Sequence, residues 1–438
     1  MQQVKSGVNT APQQKQEKID VTKMFTILPE REEVMIDDGS GSIKIWRIEE
    51  FKKVEVDKST YGEFYSSESY VILYTYIWKN KDCHIIYFWQ GRTSSIQEKG
   101  TSALLTIELD DQLKGMAKEI RVTQNKEPKH FLSIFKGKFI IHLGKEKAFD
   151  SSITSLYQIQ KRNSWNIKAI QIPVDARQLN TNASFVLKTG KGISIWHGKN
   201  STKEERDYSN MVANLNNGGA KISVFEEGKE SSEYWTLLGG KKTYPLCQLP
   251  QRLKPRLFEC SIGTGIIKVD EIVDFAQDDL MSEDVFILDA YYAIYVWIGK
   301  RADEKEKITA METAAEYQRE IKDSRVKDDS KIYSLHEGTE PIVFTCHFHG
   351  WDTSKLAKKV QDYDDGLYSV AQALKELNRT YTYDDLLNKR YPKGLDTSKL
   401  ETYLSTEEFQ QVLGATMEEF IAWPLWKKQK VKRELGLF

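Results

Sequence analysis

The segments SEDVFILD and EKEK set Asp284 at the start of a strand and Glu306 in a helix, 22 residues apart. Carboxylates and carbonyls are hard oxygen ligands, and calcium takes six to eight of them. A strand hairpin followed by half a helical turn can bring both carboxylates to one ion. A solvated acidic edge would use the same residue types, so both readings stand on composition alone. The chain's other conspicuous cluster is its last stretch, WPLWKKQKVKRELGLF. Here Lys427, Lys428, Lys430, Lys432 and Arg433 accompany Trp426 in a basic helix that ends on Leu437 and Phe438. Free termini are usually polar and frayed, so the two apolar residues imply a terminus pinned into a core. His347 and His349 form the sole close His pair. With no Cys-His or Ser-His-Asp constellation, P-loop or dinucleotide fingerprint, the pattern argues against an enzyme.

These residues must be positioned by several cores, because 438 residues exceed what one core supports. The composition is 40% hydrophobic and 29% charged with a net charge of −1, which argues against a nucleic-acid coat. Cys83, Cys247, Cys260 and Cys346 form no C-x-x-C pair and read as free thiols in a reducing compartment. The first twenty residues have no apolar core of a secretory signal, and no run approaches the ~20 apolar residues of a membrane span. The expectation is a cytoplasmic protein, not integral to a membrane, with a polar flexible tail over residues 1–34.

Self-similarity supplies the organisation. Trp89, Trp196 and Trp297 each stand two residues before a glycine, at domain-sized spacing. Each follows short runs rich in Ile, Val, Tyr and Phe, which read as strands half or wholly buried in a sheet. The glycine is expected to close a strand at positive φ. Each motif precedes a charged helical stretch whose start carries a capping Ser or Asp. The fold class is α/β in the α+β sense: three domains, each a mixed sheet packed against a long and a short helix, then a small all-α module. The boundaries are 35–150, 151–250 and 251–352, a linker over 353–380, and a helical module over 381–438.

The stretches MIDDGSGSIKIWRIE, EPKHFLSIFKGK and FHGWD, and LSTEEFQQVLGATMEEFIAWPLWKKQKVKRELGLF almost end to end, resemble the gelsolin/villin family of actin-regulating proteins. The resemblance runs from about Met35 to Phe438. It is to the second half of a villin: three gelsolin-like domains and a C-terminal headpiece, without three preceding domains. It implies calcium in the third repeat, with Glu283 giving its backbone carbonyl and Asp284 and Glu306 their carboxylates. In the first repeat the family's strand aspartate matches Glu68, preceded by Ser67 in place of the usual glycine, while Glu98 matches the helix glutamate. That implies a weaker site of changed geometry. In the second repeat Ala183 replaces the aspartate beside Asn182 and Glu205, so no strong site is expected.

The resemblance also assigns partners. The helix holding LLTIELDD resembles the family's actin-inserting helix, with Leu104 and Leu105 as apolar anchors and Asp110 as a carboxylate sharing calcium with actin. In the headpiece, Phe409, Leu413 and Phe420 take the core positions, with Leu413 replacing a phenylalanine. Trp426 becomes an exposed cap. Lys399, Glu401, Lys427, Lys432, Arg433 and the Phe438 carboxylate form a charged crown around it, with Leu437 at the same terminus. Leu400 stands where the family has lysine. The function implied is calcium-regulated binding of actin monomers and filaments in the cytoplasm and cytoskeleton. It comprises barbed-end capping or monomer binding through the first repeat and side binding or cross-linking through the headpiece, with severing left open. Phosphoinositides are a further, regulatory ligand of the basic helix. The rival is a calcium-independent scaffold that binds filaments through the headpiece only.

Overall fold

The computed structural model describes residues 21–28, 33–150, 152–215, 217–246, 254–261, 268–323, 331–355, 366–377, 380–391 and 397–437. Contacts divide the chain into two units, up to Leu367 and from Tyr368 onward. This division falls within the stretch read as a linker.

The first unit holds three sheets. The first has the order Lys52–Glu55, Ser42–Glu49, Ser69–Trp78, Lys81–Gln90 and Ala117–Thr123. Its last strand lies parallel to Lys81–Gln90, because helix α1 (Ile96–Gln112) carries the chain back along the sheet. One face packs Ile45, Tyr70, Ile72, Tyr87 and Trp89 on the short helix Lys129–Ser133, and the other packs Ile48, Val71 and Ile86 on Leu109 of α1. Two covered faces explain why the central strands read as continuous apolar runs. The third sheet repeats this plan with strands Lys268–Ile272, Arg256–Ser261, Val285–Asp289, Ile294–Ile298 and Ile332–His336, and helix α3 (Glu304–Glu320). The second, with helix α2 (Lys203–Asn214), is extended across the expected boundary. Ile140–His142 and Glu63–Tyr65 of the first repeat continue its edge in parallel, giving seven strands.

The repeated Trp-x-Gly has a specific cause. The indoles of Trp89, Trp196 and Trp297 donate to Glu127, Glu230 and Glu340 at 3.2, 2.8 and 2.9 Å. Gly91, Gly198 and Gly299 do not adopt positive φ, contrary to the reading from sequence. A Cβ on them would sit 2.3–2.4 Å from the carbonyl oxygens of Ser66, Thr181 and Ser282. Their N–H groups instead donate to Glu68 O, Ala183 O and Asp284 O at 2.9, 3.0 and 3.1 Å. The glycine therefore clamps the strand entry in each repeat by close backbone approach.

The repeats meet at a buried polar junction. Lys168 and Glu127 form an ion pair with side chains 2% and 0% exposed. Arg162 donates to the carbonyls of His347 and Phe275, and Arg92 to Gln277, Asp278 and the Gly350 carbonyl. His349 Nε2 lies 3.1 Å from Gln158 O. The FHGWD segment thus serves as a joint between repeats. Part of the stretch read as a flexible tail is ordered: Thr22–Phe25 forms a 3-10 turn whose Met24 is fully buried, held by Arg256 on the carbonyls of Met24 and Thr26. Residues 1–20 and 29–32 lie outside the described residues.

After the two-residue strand Tyr368–Ser369 the described residues of the second unit are helical: Val370–Leu377, Tyr383–Leu387, the 3-10 segment Thr397–Tyr403, Thr406–Leu413, Met417–Ala422 and Leu425–Glu434. Its core joins Tyr381, Leu386, Leu400, Leu404, Phe409, Leu413, Phe420 and Leu437. Ser405 and Thr416 cap two of the helices, and Gly414 ends one at φ 68°.

Candidate functional site

Each long helix opens on a capping box: Ser95 with Glu98, Thr202 with Glu205, and Asp303 with Glu306. The glutamate at the third helical position closes onto the cap's backbone N–H. The same glutamate that is legible as a metal ligand is therefore also a helix-starting device. What distinguishes the three repeats is the company of its carboxylate.

In the third repeat the company is acidic. Asp284 enters the strand Val285–Asp289, and no described residue gives its carboxylate a hydrogen bond or ion pair. Burial, then the charges of Glu306 and Glu283, raises its pKa. Glu259 on the adjacent strand is raised by burial, then by Asp284, Asp270 and Asp279. Asp284 and Glu306 thus share a negative field that a divalent cation relieves, and the residues fit calcium. Glu283 turns its side chain to Arg301, leaving its carbonyl as the group suited to the ion. Among the described residues no group of three or more His, Cys, Asp or Glu side chains is set to hold a metal, so carbonyls and water must complete any shell.

The first repeat does not fit. Glu68 is 4% exposed, accepts from Tyr70 Oη at 2.7 Å and Glu146 N at 3.1 Å, and lies 3.8 Å from the Arg47 guanidinium. Burial raises its pKa despite Tyr70 and Arg47. Burial would raise Glu98 too, but hydrogen bonds from Lys145 at 2.7 Å and from Ser95 outweigh it, and its pKa is lowered. Arg47, Lys145 and Lys147 line the same 420 Å³ cavity as Glu68 and Glu98, so cations already balance these carboxylates. Ser67 hydroxyl pairs with Thr93 rather than facing the cavity's acids. Asp110 stands twelve residues beyond Glu98, about 18 Å along the helix. Its carboxylate accepts Ala117 N at 2.8 Å and closes the turn after α1. The structure does not bring Asp110 to the Glu68–Glu98 cavity. In the second repeat both Glu205 oxygens are engaged, by Lys161 N at 2.7 Å and Thr202 N at 2.8 Å, and Ala183 is fully buried.

Helix α1 resolves its crowded leucines. Leu109 is buried and Leu105 and Leu113 pack against the same sheet face. Leu104 is 63% exposed, Ile107 50% and Ile96 90%. Leu105 is therefore half-buried against the sheet and does not face outward. Ile107 and Ile96 share the exposed face with Leu104 at the helical period.

The helical module corrects the charged crown. Trp426 is 67% exposed beside exposed Leu425 and Ile421, and Lys399 and Arg433 are exposed. Lys427 Nζ lies 3.7 Å from the Trp423 ring centroid. Glu401 and Lys432, however, are 6% and 7% exposed and form an ion pair at 2.7–2.8 Å. They fasten Thr397–Tyr403 to the last helix instead of facing a partner. Leu437 is fully buried, because the terminus must close the small core, and Leu400 joins it. Phe438 lies outside the described residues. Glu401→Ala is expected to destabilise this module by about 1.5–3 kcal/mol, the worth of a hydrogen bond to a charged group. Thermal melting of the far-UV signal checks it, and an unchanged midpoint would show that water reaches Lys432.

Comparison with known proteins follows this geometry. The Gelsolin repeat model matches residues 50–132 and 267–345, and the Villin headpiece domain model matches 403–438. Villidin of Dictyostelium discoideum is 38% identical over 454 residues, covering 100% of this chain and 27% of the relative. Advillin of Mus musculus is 35% identical, covering 97% and 55%, and Gelsolin of Gallus gallus is 40% identical, covering 73% and 42%. The chain thus spans about half the length, or less, of the curated relatives it matches. The middle repeat lies outside the matched segments, but it shares the Trp-x-Gly clamp and the capping box. The chain accordingly belongs to the gelsolin and villin family, as gelsolin repeats followed by a villin headpiece domain.

Proposed function

We propose that the chain is a calcium-regulated actin-binding protein and not an enzyme. The observation that carries this reading is the apolar face Ile96–Leu104–Ile107, left in solvent on a helix whose opposite face is buried. Such a ridge suits the apolar cleft of actin, for monomer binding or barbed-end capping. The headpiece offers Trp426 as an aromatic anchor among Lys399, Lys427 and Arg433, which suits an acidic filament side. Joining the two sites raises effective concentration and supports tethering or cross-linking in the cytoskeleton. Calcium enters through Asp284 and Glu306 of the third repeat, with the Glu283 carbonyl. Phosphoinositides fit the basic headpiece helix as a competing ligand.

The scaffold reading has one observation in its favour: the cations Arg47 and Lys145 already neutralise the carboxylates of the first repeat. Filament and monomer binding by the full chain, with calcium and with chelator, separates the two. Leu104→Asp is expected to weaken monomer binding at least tenfold, and Trp426→Ala to weaken filament pelleting tenfold, as buried anchors do. Asp284→Asn should remove the calcium dependence of the scattering profile. If that profile is the same with and without calcium in the unsubstituted chain, the scaffold reading holds and the regulated one fails.

A further inference from the structure

The first sheet ends in a finger that the site above does not use. Strands Ser69–Trp78 and Lys81–Gln90 remain paired to their ends, with Ile77 opposite Asp82 and Trp78 opposite Lys81. Their neighbours stop short: Ser42 lies opposite Thr75, and Ala117 opposite His84. The ribbon beyond Thr75 therefore projects by about 10 Å with no strand on either side. Lys79 and Asn80 close it at φ 49° and 58°, the left-handed pair that a tight hairpin requires.

The tip is apolar and basic together. Ile77 is 74% exposed and Trp78 57%, and Lys79 Nζ lies 5.8 Å from the Trp78 ring centroid. Lys81 is exposed, and Asp82 is the acid of the tip. Met116, 65% exposed, with exposed Lys114 and Lys118, stands at the same end of the sheet. Successive strand residues point to opposite faces, so Ile77 and Trp78 make both faces of the ribbon apolar. A protein partner docked on one face would leave the other wet, whereas a medium that surrounds the tip covers both. Tryptophan favours the bilayer interface, and lysine can bury its stem there while its ammonium meets phosphate.

We propose that the hairpin tip Ile77–Lys81 is a membrane-docking finger that enters the headgroup layer of an anionic bilayer. The cations draw the tip to the surface, and Trp78 and Ile77 hold it there. The attachment is separate from the exposed face of α1 and from the headpiece.

The test is co-sedimentation of the full chain with vesicles of phosphatidylcholine alone or with about 30% phosphatidylserine, the class of anionic lipid that attracts basic segments. Binding is expected on the anionic vesicles only. The Ile77→Ser, Trp78→Ser double variant is expected to lose at least about tenfold in binding. Lys79→Glu with Lys81→Glu should remove the salt-sensitive part, and Trp426→Ala should keep vesicle binding. All four substituted side chains are exposed, so thermal midpoints and actin-filament pelleting without lipid should stay unchanged. No binding to anionic vesicles, or equal binding by the serine variant, would overturn the proposal. So would loss of filament pelleting in the tip variants, which would make the finger a protein contact.

Discussion

Glu127→Ala is expected to destabilise the three-repeat unit by about 3–5 kcal/mol, the cost of breaking a buried ion pair from one side. Lys168 lies on the second repeat's strand Ile167–Ile172, and its side chain is 2% exposed. Burial lowers its pKa while Glu127 opposes that shift, so the carboxylate is what keeps the ammonium tolerable there. Glu127 also accepts Trp89 Nε1 at 3.2 Å and Asn125 N at 2.9 Å. Alanine would orphan all three donors at once. Lys168→Met should cost less, because Glu127 keeps two of its donors and the methionine fills a similar volume. Urea unfolding of both variants gives the order. A loss below about 1 kcal/mol for Glu127→Ala would mean that the lysine finds water or another acceptor.

Acid is expected to weaken the same joint. Burial, with the nearby Arg162 charge, lowers the pKa of His347 to about 3 from an ordinary 6.5. Burial, with Lys168, lowers His349 as well. A histidine with a depressed folded pKa stays neutral in the fold while the unfolded chain takes up its proton. Its contribution is intact above pH 6.5 and is lost progressively as pH falls toward 3. At about pH 5 the loss from His347 alone is about 2 kcal/mol, and His349 adds in the same direction. Burial-raised carboxylates, Glu68 and Glu205, act in the opposite sense. His347→Gln, which keeps a polar group near the Tyr292 hydroxyl, isolates the effect. The urea midpoint of the unsubstituted chain should drop between pH 7 and pH 5, and the variant's should drop less. Equal drops would assign the acid sensitivity elsewhere.

The fold was legible because its repeat is local. Each apolar hairpin and each S/T/D-x-x-E helix start lies within a few residues of its own partners, and each Trp-x-Gly marks the end of such a hairpin. The site was less so, because the decisive partners are distant in sequence. Glu98 and Glu306 occupy the same helix position, and the charges around them, Lys145 beside one and Asp284 beside the other, tell them apart. Arg47 did leave a sign. It continues the inward alternation of Ile43 and Ile45, where a cation needs a buried counter-charge. On α1 the turning of Leu105 to the sheet and of Ile107 to solvent follows from the helix's rotation on the sheet, which composition does not set. On the last helix five cations cannot all face solvent. Which one turns inward depends on Glu401, 31 residues earlier.

The shared second sheet has a consequence for synthesis. Ile140 and Ile141 pair with Ala169 and Ile170, and Glu63–Tyr65 continues the same ladder. Emerging at about 5–20 residues per second, the first repeat is complete before the strand Ile167–Ile172 leaves the ribosome. Its finished edge is then a template on which the second repeat sets its register, so the N-terminal repeat acts as the assembly jig for the one that follows.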